Sequence, residues 1–118
     1  MKEQNVIKDK SMDFAVRIVR LYKYLSEQER EYIMSKQILR SGTSIGANIR
    51  EAEYAQSRKD FISKMSIALK EAAETEYWIE LLHRSEYLKG DAYESILADS
   101  QELCKILIAI VYSSKSGT

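Results

Sequence analysis

Apolar side chains recur along most of this chain at alternating spacings of three and four residues, which is typical of amphipathic helices packed in a bundle. The pattern is clearest in a seam, or core-facing row, made of Phe61, Met65, Ala68, Ala72, Thr75, Ile79 and Leu82. An earlier seam consists of Phe14, Ile18, Leu21 and Leu25. A later seam consists of Ile96, Ser100, Leu103, Leu107 and Ile110. These three rows predict three helices with one buried face each.

A further helix is predicted through most of the central stretch, Leu39 to Phe61, as far as about Gln56, although the stretch contains Gly42 and Gly46. A glycine inside a helix costs about 1 kcal/mol relative to alanine, so the pair predicts either close approach of a neighbouring helix or subunit, or a turn. An apolar face continues through the small residues, which favours the helix. Its members are Met34, Ile38, Ile45, Ile49 and Ala52. The small residues in the middle of the next helix, Ala68, Ala72 and Thr75, could receive the equally small face of this helix, so that the two backbones pack closely.

Helix starts are predicted where a Ser or Asp precedes an acidic residue by three positions, because such a pair can satisfy free backbone N–H groups. The pairs are Ser26 with Glu29, Ser57 with Asp60, and Asp91 with Glu94, and Ser11 is a further predicted N-cap. We expect residues 1–10 to fray, the second helix to reach about Gln56, and order to end near residue 113. Four helices with short connections predict an antiparallel up-down-up-down bundle in one domain, residues 1–118, with an ordered core of about 11–113.

The composition agrees with a folded helical domain. The 118 residues are 45% hydrophobic and 31% charged, and they include no proline. The longest apolar run, Ile106 to Tyr112, is far shorter than the roughly 20 residues that cross a bilayer, and the N-terminus lacks a signal-like apolar segment. We therefore expect a cytoplasmic protein.

Charge is balanced overall and uneven along the chain. The net charge is zero, yet residues 1–59 carry 12 Lys and Arg against 8 Asp and Glu, and residues 60–118 carry 6 against 10. The split could form a basic surface on the first two helices, could let unlike faces of neighbouring subunits meet, or could reflect ordinary solvated faces. The candidate nucleic-acid or partner-binding residues are Arg17, Arg20, Arg40, Arg50 and Arg58.

No catalytic, cofactor or metal site is predicted. Glu80 and His83 match the Glu-x-x-His of di-iron bundles, but such a site needs a second copy and His83 is the sole histidine. Cys104 is the sole cysteine and is expected to be a small core residue. We expect a protein that is not an enzyme.

Self-association is predicted from apolar and aromatic residues outside the seams, which exceed what one core needs. They are Tyr22, Tyr24, Tyr54, Tyr77, Trp78, Tyr87 and Ile108. Asn48 is either an exposed helix residue or a buried one that pairs with Glu71 or Glu74 and specifies register or a subunit contact. The candidate packing or oligomer contacts are Gly42, Ser44, Ile45, Gly46, Asn48, Ile49, Phe61 and Trp78.

Several of these residues also carry a resemblance to a known family. The elements are Ser44-Ile45 with Asn48-Ile49, Ser57-Arg58 with Phe61, Ala68 with Glu71, and the segment ETEYWIELL. With them the chain resembles, from about Phe14 to Val111, the four-helix-bundle proteins encoded in intervening sequences of bacterial large-subunit ribosomal RNA genes. The resemblance implies an antiparallel bundle that closes into a homopentameric ring, and for most members no activity has been assigned.

The family includes the accessory protein of diversity-generating retroelements, which is strongly basic and binds nucleic acid and a reverse transcriptase. This chain is neutral, which is a departure from that relative. Two hypotheses follow. The first is a non-enzymatic homo-oligomer that binds RNA, DNA or a nucleic-acid enzyme such as a reverse transcriptase through the basic residues of helices 1 and 2. The alternative is a protein-binding scaffold with a groove between helices and no nucleic-acid binding.

Overall fold

Four helices form the computed structural model, which describes the backbone of residues 2–117 and the side chains of residues 5–117. They are α1 (Lys2–Glu27), α2 (Met34–Glu53), α3 (Arg58–Arg84) and α4 (Gly90–Lys115). The connections contain six, four and five residues, and residues 2–117 include no strand. The prediction of an all-helical chain is confirmed.

The helices surround one hydrophobic core. α1 packs against α2 and α4, and α3 packs against the same two helices. Within the described residues, α1 and α3 lie diagonally across the core, and so do α2 and α4, with no Cα atoms of these pairs within 8 Å. The predicted seam of α3 is buried from Met65 to Leu82, and its first member, Phe61, is half-buried at the edge. Each large apolar side chain removed from water in this way contributes roughly 1.5–3 kcal/mol.

The start of α1 differs from the prediction. The helix begins at Lys2, nine residues before Ser11. Ile7 is fully buried and extends the seam by two turns, so core packing favours helix well before the expected N-cap. Ser11 lies inside the helix, where its Oγ donates to the carbonyl of Lys8 at 3.0 Å, so the predicted cap at Ser11 is wrong. Residues 2–10 are helical where fraying was expected, and α4 extends to Lys115, two residues past the expected end of order. Met1 and Thr118 lie outside the described residues.

The start of α2 also differs. Ser26 lies in the last turn of α1 and its Oγ donates to the carbonyl of Tyr22 at 2.8 Å, so the predicted capping box with Glu29 is wrong. The carboxylate of Glu31 instead accepts hydrogen bonds from the backbone N–H groups of Ile33, Met34 and Ser35, at 3.1, 3.1 and 2.7 Å. Glu31 thereby satisfies the free N–H groups that open α2. The helix ends at Glu53, three residues before the expected end.

The two remaining helix starts give one confirmation and one correction. Ser57 is the N-cap of α3, and its Oγ accepts the backbone N–H of Asp60 at 3.0 Å, as predicted. α4 begins at Gly90 with Lys89 as N-cap, and Asp91 lies in the first turn, so the predicted cap at Asp91 is wrong. The carboxylate of Asp91 still lies near the positive end of the helix dipole, where it is favourable.

Candidate interaction surfaces

Gly42 and Gly46 lie inside α2, which confirms the helical interpretation of the central stretch, and both face α1. A Cβ atom built on Gly42 would lie 2.8 Å from Cγ1 of Ile18, which is too close for any real side chain. A Cβ atom built on Gly46 would lie 3.4 Å from Oγ of Ser11, an ordinary contact. The helix that approaches the glycines is therefore α1, and the tight point is Gly42.

The face of α2 toward α3 is carried by other small residues. The hydroxyls of Ser41 and Thr75 are hydrogen-bonded at 2.9 Å, and both side chains are fully buried. The expectation that small residues of α2 meet the small middle of α3 therefore holds at Ser41 and Thr75, whereas the two glycines face α1 instead. The serine next to the glycine makes that contact.

The remaining candidate residues of the central stretch divide between core and surface. Ile45 and Ile49 are buried in the core of the same chain. Ser44 and Asn48 are half-buried, and Nδ2 of Asn48 donates to the carbonyl of Ser44 at 2.9 Å. Asn48 does not pair with the carboxylates of Glu71 or Glu74. Its side chain is satisfied within its own helix.

Trp78 is half-buried on α3, and its Nε1–H donates to Oε2 of Glu74 at 2.9 Å. The ring of Tyr77 lies edge-on to it, with ring centroids 5.0 Å apart. The indole N–H, which has the larger effect, and the guanidinium of Arg40 both hold the pKa of Glu74 below its usual value, because both stabilise the carboxylate. This carboxylate links α2 to the aromatic pair on α3.

Two of the five candidate arginines are ion-paired within the chain. Arg17 of α1 donates to Asp99 of α4 at 2.6 Å. Arg40 of α2 donates to Glu71 of α3 at 3.1 Å and also bonds to Glu74. A phosphate would have to compete with these carboxylates for either guanidinium.

The other three arginines differ among themselves. Arg58 donates from Nη2 to the carbonyl of Ser114, at 2.7 Å, near the end of α4. Arg20 and Arg50 are exposed and make no hydrogen bond or ion pair within the part of the chain that the structure describes. Arg17 and Arg20 lie close together on α1, where they line the same cavities. Arg40 and Arg50 are on α2 and Arg58 begins α3, so the structure brings two of the five residues together and not all five.

Ion pairs inside the bundle account for much of the uneven charge along the sequence. Besides the pairs of Arg17 and Arg40, Lys10 of α1 bonds to Glu102 of α4 at 3.2 Å. Each of these pairs joins a cation of the basic half to an acid of the acidic half. Three cations of the basic half are therefore already paired with acids of the acidic half on the surface of one chain.

α1 also carries an exposed apolar row that was not among the contacts predicted from the sequence. Met12, Val16 and Val19 follow spacings of four and three, and their exposed fractions are 50%, 43% and 37%. We call these three residues the α1 stripe. The same spacing that marks a core seam occurs here on the outer face, so the row could have been found by asking which helix carries a second seam.

A shallow hollow of about 270 Å³ borders the α1 stripe between α1 and α2. Its lining is mostly apolar or small, and Arg50 lies at its edge. The lining residues are Lys8, Ser11, Met12, Ala15, Thr43, Gly46, Ala47 and Arg50. Small residues on α2 leave room for another helix to approach the stripe.

Helix α4 carries a second exposed apolar feature. Ile108 and Tyr112 stand four residues apart, and their exposed fractions are 43% and 73%. We call these two residues the α4 pair. Ile108 was among the residues that the sequence marked as surplus to the core, and Tyr112 was not.

A crevice runs between α1 and α4. It consists of two cavities of about 430 and 730 Å³ that share Arg17 and Arg20 in their linings. The larger cavity also includes Tyr24 and Tyr87, together with Glu29, Glu86 and Lys89. Acids and cations are mixed along it, so its charge does not select one class of ligand.

His83 and Cys104, the sole histidine and cysteine, are held within the fold. The ring of His83 stacks on Tyr93 with centroids 3.6 Å apart, and its Nδ1 lies 2.9 Å from the carbonyl of Leu88. Burial, followed by the nearby charge of Glu76, raises the pKa of the half-buried Cys104 thiol. Among residues 2–117, no group of three or more His, Cys, Asp or Glu is placed to hold a metal ion. No helix in that range is long and apolar enough to span a membrane.

Comparisons with known proteins place the chain in a family. The family described as 23S rRNA-intervening sequence protein matches residues 3–109. A crystal structure of a protein of unknown function from the S23 ribosomal protein family of Bacteroides thetaiotaomicron VPI-5482 is similar, with 66% identity and a TM-score of 0.91. The match covers 93% of this chain and 98% of that one. No curated protein sequence matches. The chain therefore belongs to the family of 23S rRNA-intervening sequence proteins.

Proposed function

We propose that this protein is a non-enzymatic four-helix bundle whose function depends on self-assembly into a closed homo-oligomer. The observation that carries the proposal is the α1 stripe, three apolar side chains at helical spacing that one chain leaves in water. Covering such a row with a second copy removes apolar surface from water, which favours association by about 25 cal/mol per Å² before the costs of binding. The family resemblance adds the expectation of five copies in a ring.

We also infer that consecutive helices run in opposite directions. Ser11 of α1 lies beside Gly46 of α2, whereas Ile18, one seven-residue step later in α1, lies beside Gly42. Position in α2 thus falls as position in α1 rises. The connections of four to six residues also support this, since helices of 20 to 27 residues are about 30–40 Å long and so short a link cannot return along them.

The Val16→Glu variant tests self-assembly through the α1 stripe. Val16 is exposed in the single chain, so a carboxylate there should leave the fold intact while placing a charge in the contact. We expect the molar mass measured by light scattering to fall to that of one chain, with unchanged helix content by circular dichroism. The matched control is Ile33→Glu, a substitution of the same kind at a residue that is 77% exposed outside the stripe. Assembly of the Val16→Glu variant at the native mass would contradict the proposal.

Nucleic-acid binding is a second candidate function, supported by the unpaired Arg20 and Arg50. A phosphate contact by either residue breaks no ion pair within the described part of the chain. Binding of RNA or DNA should then weaken as salt is added, because each contact releases counterions. Arg20→Gln and Arg50→Gln should each reduce the salt slope, whereas Arg40→Gln should not. Binding that is absent, or independent of salt, would remove this candidate.

A scaffold for another protein is the alternative, and the crevice between α1 and α4 supports it. Its two cavities together offer a long, partly apolar channel to an amphipathic segment. Tyr87→Glu should then release a captured protein without changing the mass of the homo-oligomer. Retention of the same protein by the variant would argue against use of the crevice.

A further inference from the structure

We propose that the crevice between α1 and α4 is the place where this bundle opens, and that ion pairs across the crevice control the opening. α1 and α4 separate while the other three contacts between neighbouring helices persist, so water reaches core residues along the crevice. The opening therefore depends on ionic strength. It goes beyond the proposed function, because it takes place within one chain and does not require self-assembly.

The contact between α1 and α4 differs from the other three in how the chain supports it. α1 and α2, α2 and α3, and α3 and α4 are consecutive helices, joined by connections of six, four and five residues. α1 and α4 are the first and last helices, so no connection joins them directly. Their contact closes the longest loop of the four, and closing a long loop costs more conformational entropy than closing a short one.

Two of the other contacts contain close interactions between buried residues. α1 meets α2 at Ile18 and Gly42, where an added Cβ atom would lie only 2.8 Å from Cγ1 of the isoleucine. α2 meets α3 through the buried hydroxyls of Ser41 and Thr75, which are 2.9 Å apart. Between α1 and α4 lie instead the two cavities of the crevice, of about 430 and 730 Å³. Local opening is expected where buried contacts are few.

Core side chains lie directly beneath the crevice. Phe14 and Leu103 line the smaller cavity, Leu88 and Ile96 line the larger one, and all four are buried. Ser100 shares a face of α4 with Ile96 and Leu103, because it lies four residues after one and three before the other. Ser100 is also buried, and its hydroxyl has no hydrogen-bond partner among the described residues. Water that enters an open crevice satisfies this hydroxyl, which offsets part of the cost of exposing its apolar neighbours.

Opposite charges face each other across the smaller cavity. Its charged lining residues are Lys10, Asp13, Arg17 and Arg20 of α1, and Asp99 and Glu102 of α4. Three cations and one acid on α1 therefore face two acids on α4. Arg17 donates to Asp99 at 2.6 Å and to Ser95 at 3.1 Å, and Lys10 donates to Glu102 at 3.2 Å. These ion-paired side chains are between 34% and 51% exposed, so dissolved salt screens the attraction that closes the crevice.

The experiment places one thiol in the contact that should open and another in a contact that should stay closed. Cys104→Ser removes the native thiol, and Ser100→Cys then provides a single buried thiol on α4. The matched control is Ser41→Cys in the same background, because Ser41 is an equally buried serine in the contact between α2 and α3. The rate of labelling by an uncharged maleimide measures how often each thiol reaches water. Circular dichroism checks that both proteins keep the native helix content.

Salt should accelerate labelling at position 100 and not at position 41. We expect a tenfold rise in sodium chloride concentration, from about 50 mM, to raise the rate at position 100 about two- to fivefold, because screening weakens the ion pairs. Adding Arg17→Gln should raise that rate by a similar factor at the lower salt concentration and should reduce the effect of further salt. Adding Arg40→Gln, which removes an ion pair between α2 and α3, should leave labelling at position 100 unchanged.

Amide hydrogen exchange provides a second readout that needs no introduced thiol. In the full chain with Arg17→Gln as its only change, amides of α1 and α4 should exchange faster than in the native chain, since a helix that loses its packing partner is only marginally stable. Amides of α2 and α3 should keep their native rates. Equal acceleration in all four helices would contradict the proposal.

Three results of the labelling experiment would overturn the inference. Equal acceleration by salt at positions 41 and 100 would show unfolding of the whole chain. Labelling at position 100 that responds neither to salt nor to Arg17→Gln would show that the ion pairs do not control the contact. An equal effect of Arg17→Gln and Arg40→Gln at position 100 would show a general loss of stability. None of these results depends on the molar mass of the native chain, so failure here is distinguishable from failure of the proposed function.

Discussion

At the scale of single residues, the two glycines of α2 show what spacing can and cannot predict. A separation of four residues indicates a shared face, and both glycines do face α1. The sequence spacing does not distinguish the two glycines, whereas in the structure α1 approaches Gly42 more closely than Gly46. Ile18 fills the space above Gly42 with β-branched atoms that have little freedom, and Ser11 leaves room above Gly46. The residue of α1 that faces each glycine depends on how the two helices pack. The spacing of residues within α2 alone does not reveal it.

Gly42→Ala and Gly46→Ala should therefore have opposite effects on the free energy of unfolding. Alanine gains about 1 kcal/mol of helix propensity at either site. At Gly42 the new methyl group forces a shift of Ile18, and overpacking of this kind costs about 1–3 kcal/mol, so we expect net destabilisation of up to about 2 kcal/mol. At Gly46 we expect a neutral or stabilising change. Urea denaturation of both variants checks this, and equal effects would contradict it.

At the scale of elements, the seams were predictable and most helix starts were not. Burial of a long row such as Met65 to Leu82 requires the periodicity that the sequence displays. A cap depends on where the chain turns, and the same Ser-x-x-Glu letters occur in the last turn of α1, where Ser26 bonds backward to Tyr22. Ser57 was predicted correctly because a turn does precede it. Glu31 was missed because a glutamate three residues before Met34 is outside the usual set of capping residues.

Glu31→Ala should shorten or loosen the start of α2, because three backbone N–H groups lose their acceptor. We expect a loss of about 0.5–2 kcal/mol in the free energy of unfolding, the usual range for a lost cap. Glu29→Ala is the matched control, since the structure gives Glu29 no capping role. Amide exchange at Ile33 to Ser35 should rise in the first variant alone. A larger effect at Glu29 would refute this assignment.

The contact between α2 and α3 should make stability depend on pH. Trp78, and then Arg40, stabilise the ionised form of Glu74, so its pKa is lower in the folded chain than in the unfolded one. This stabilisation is present above the unfolded pKa, about 4.3, and is lost as the pH falls through the lower folded value. Glu74→Gln should therefore be less stable than the native chain at pH 7 and should lose less stability on acidification below about pH 4.5.

The matched control for that pH dependence is Glu80→Gln, an exposed position on the same helix. Thermal unfolding of the three proteins between pH 7 and pH 3 measures the effect. The Glu80 variant should follow the native pH profile. A Glu74 variant whose profile is as steep as the native one would show that another group is responsible.

At the scale of the whole molecule, the sequence predicted the class of fold, and the family comparison supports the same assignment. The candidate surfaces were harder to predict. Arginines chosen for binding, such as Arg17 and Arg40, proved to be engaged by acids of the other half of the chain, which no linear charge count shows. The α1 stripe was missed because Met12, Val16 and Val19 alternate in sequence with core residues of the same helix. The spacing alone reveals two apolar rows on α1, and the fold shows which of the two is left exposed.

The most direct test of self-assembly is the molar mass of the native chain in solution. Light scattering coupled to size exclusion, at micromolar concentration and physiological salt, should give five times the chain mass of 13.7 kDa. That mass should hold over a tenfold dilution, as expected for a closed ring. A native chain that elutes as a folded species of 13.7 kDa would contradict the account, because the α1 stripe would then have no copy to cover it.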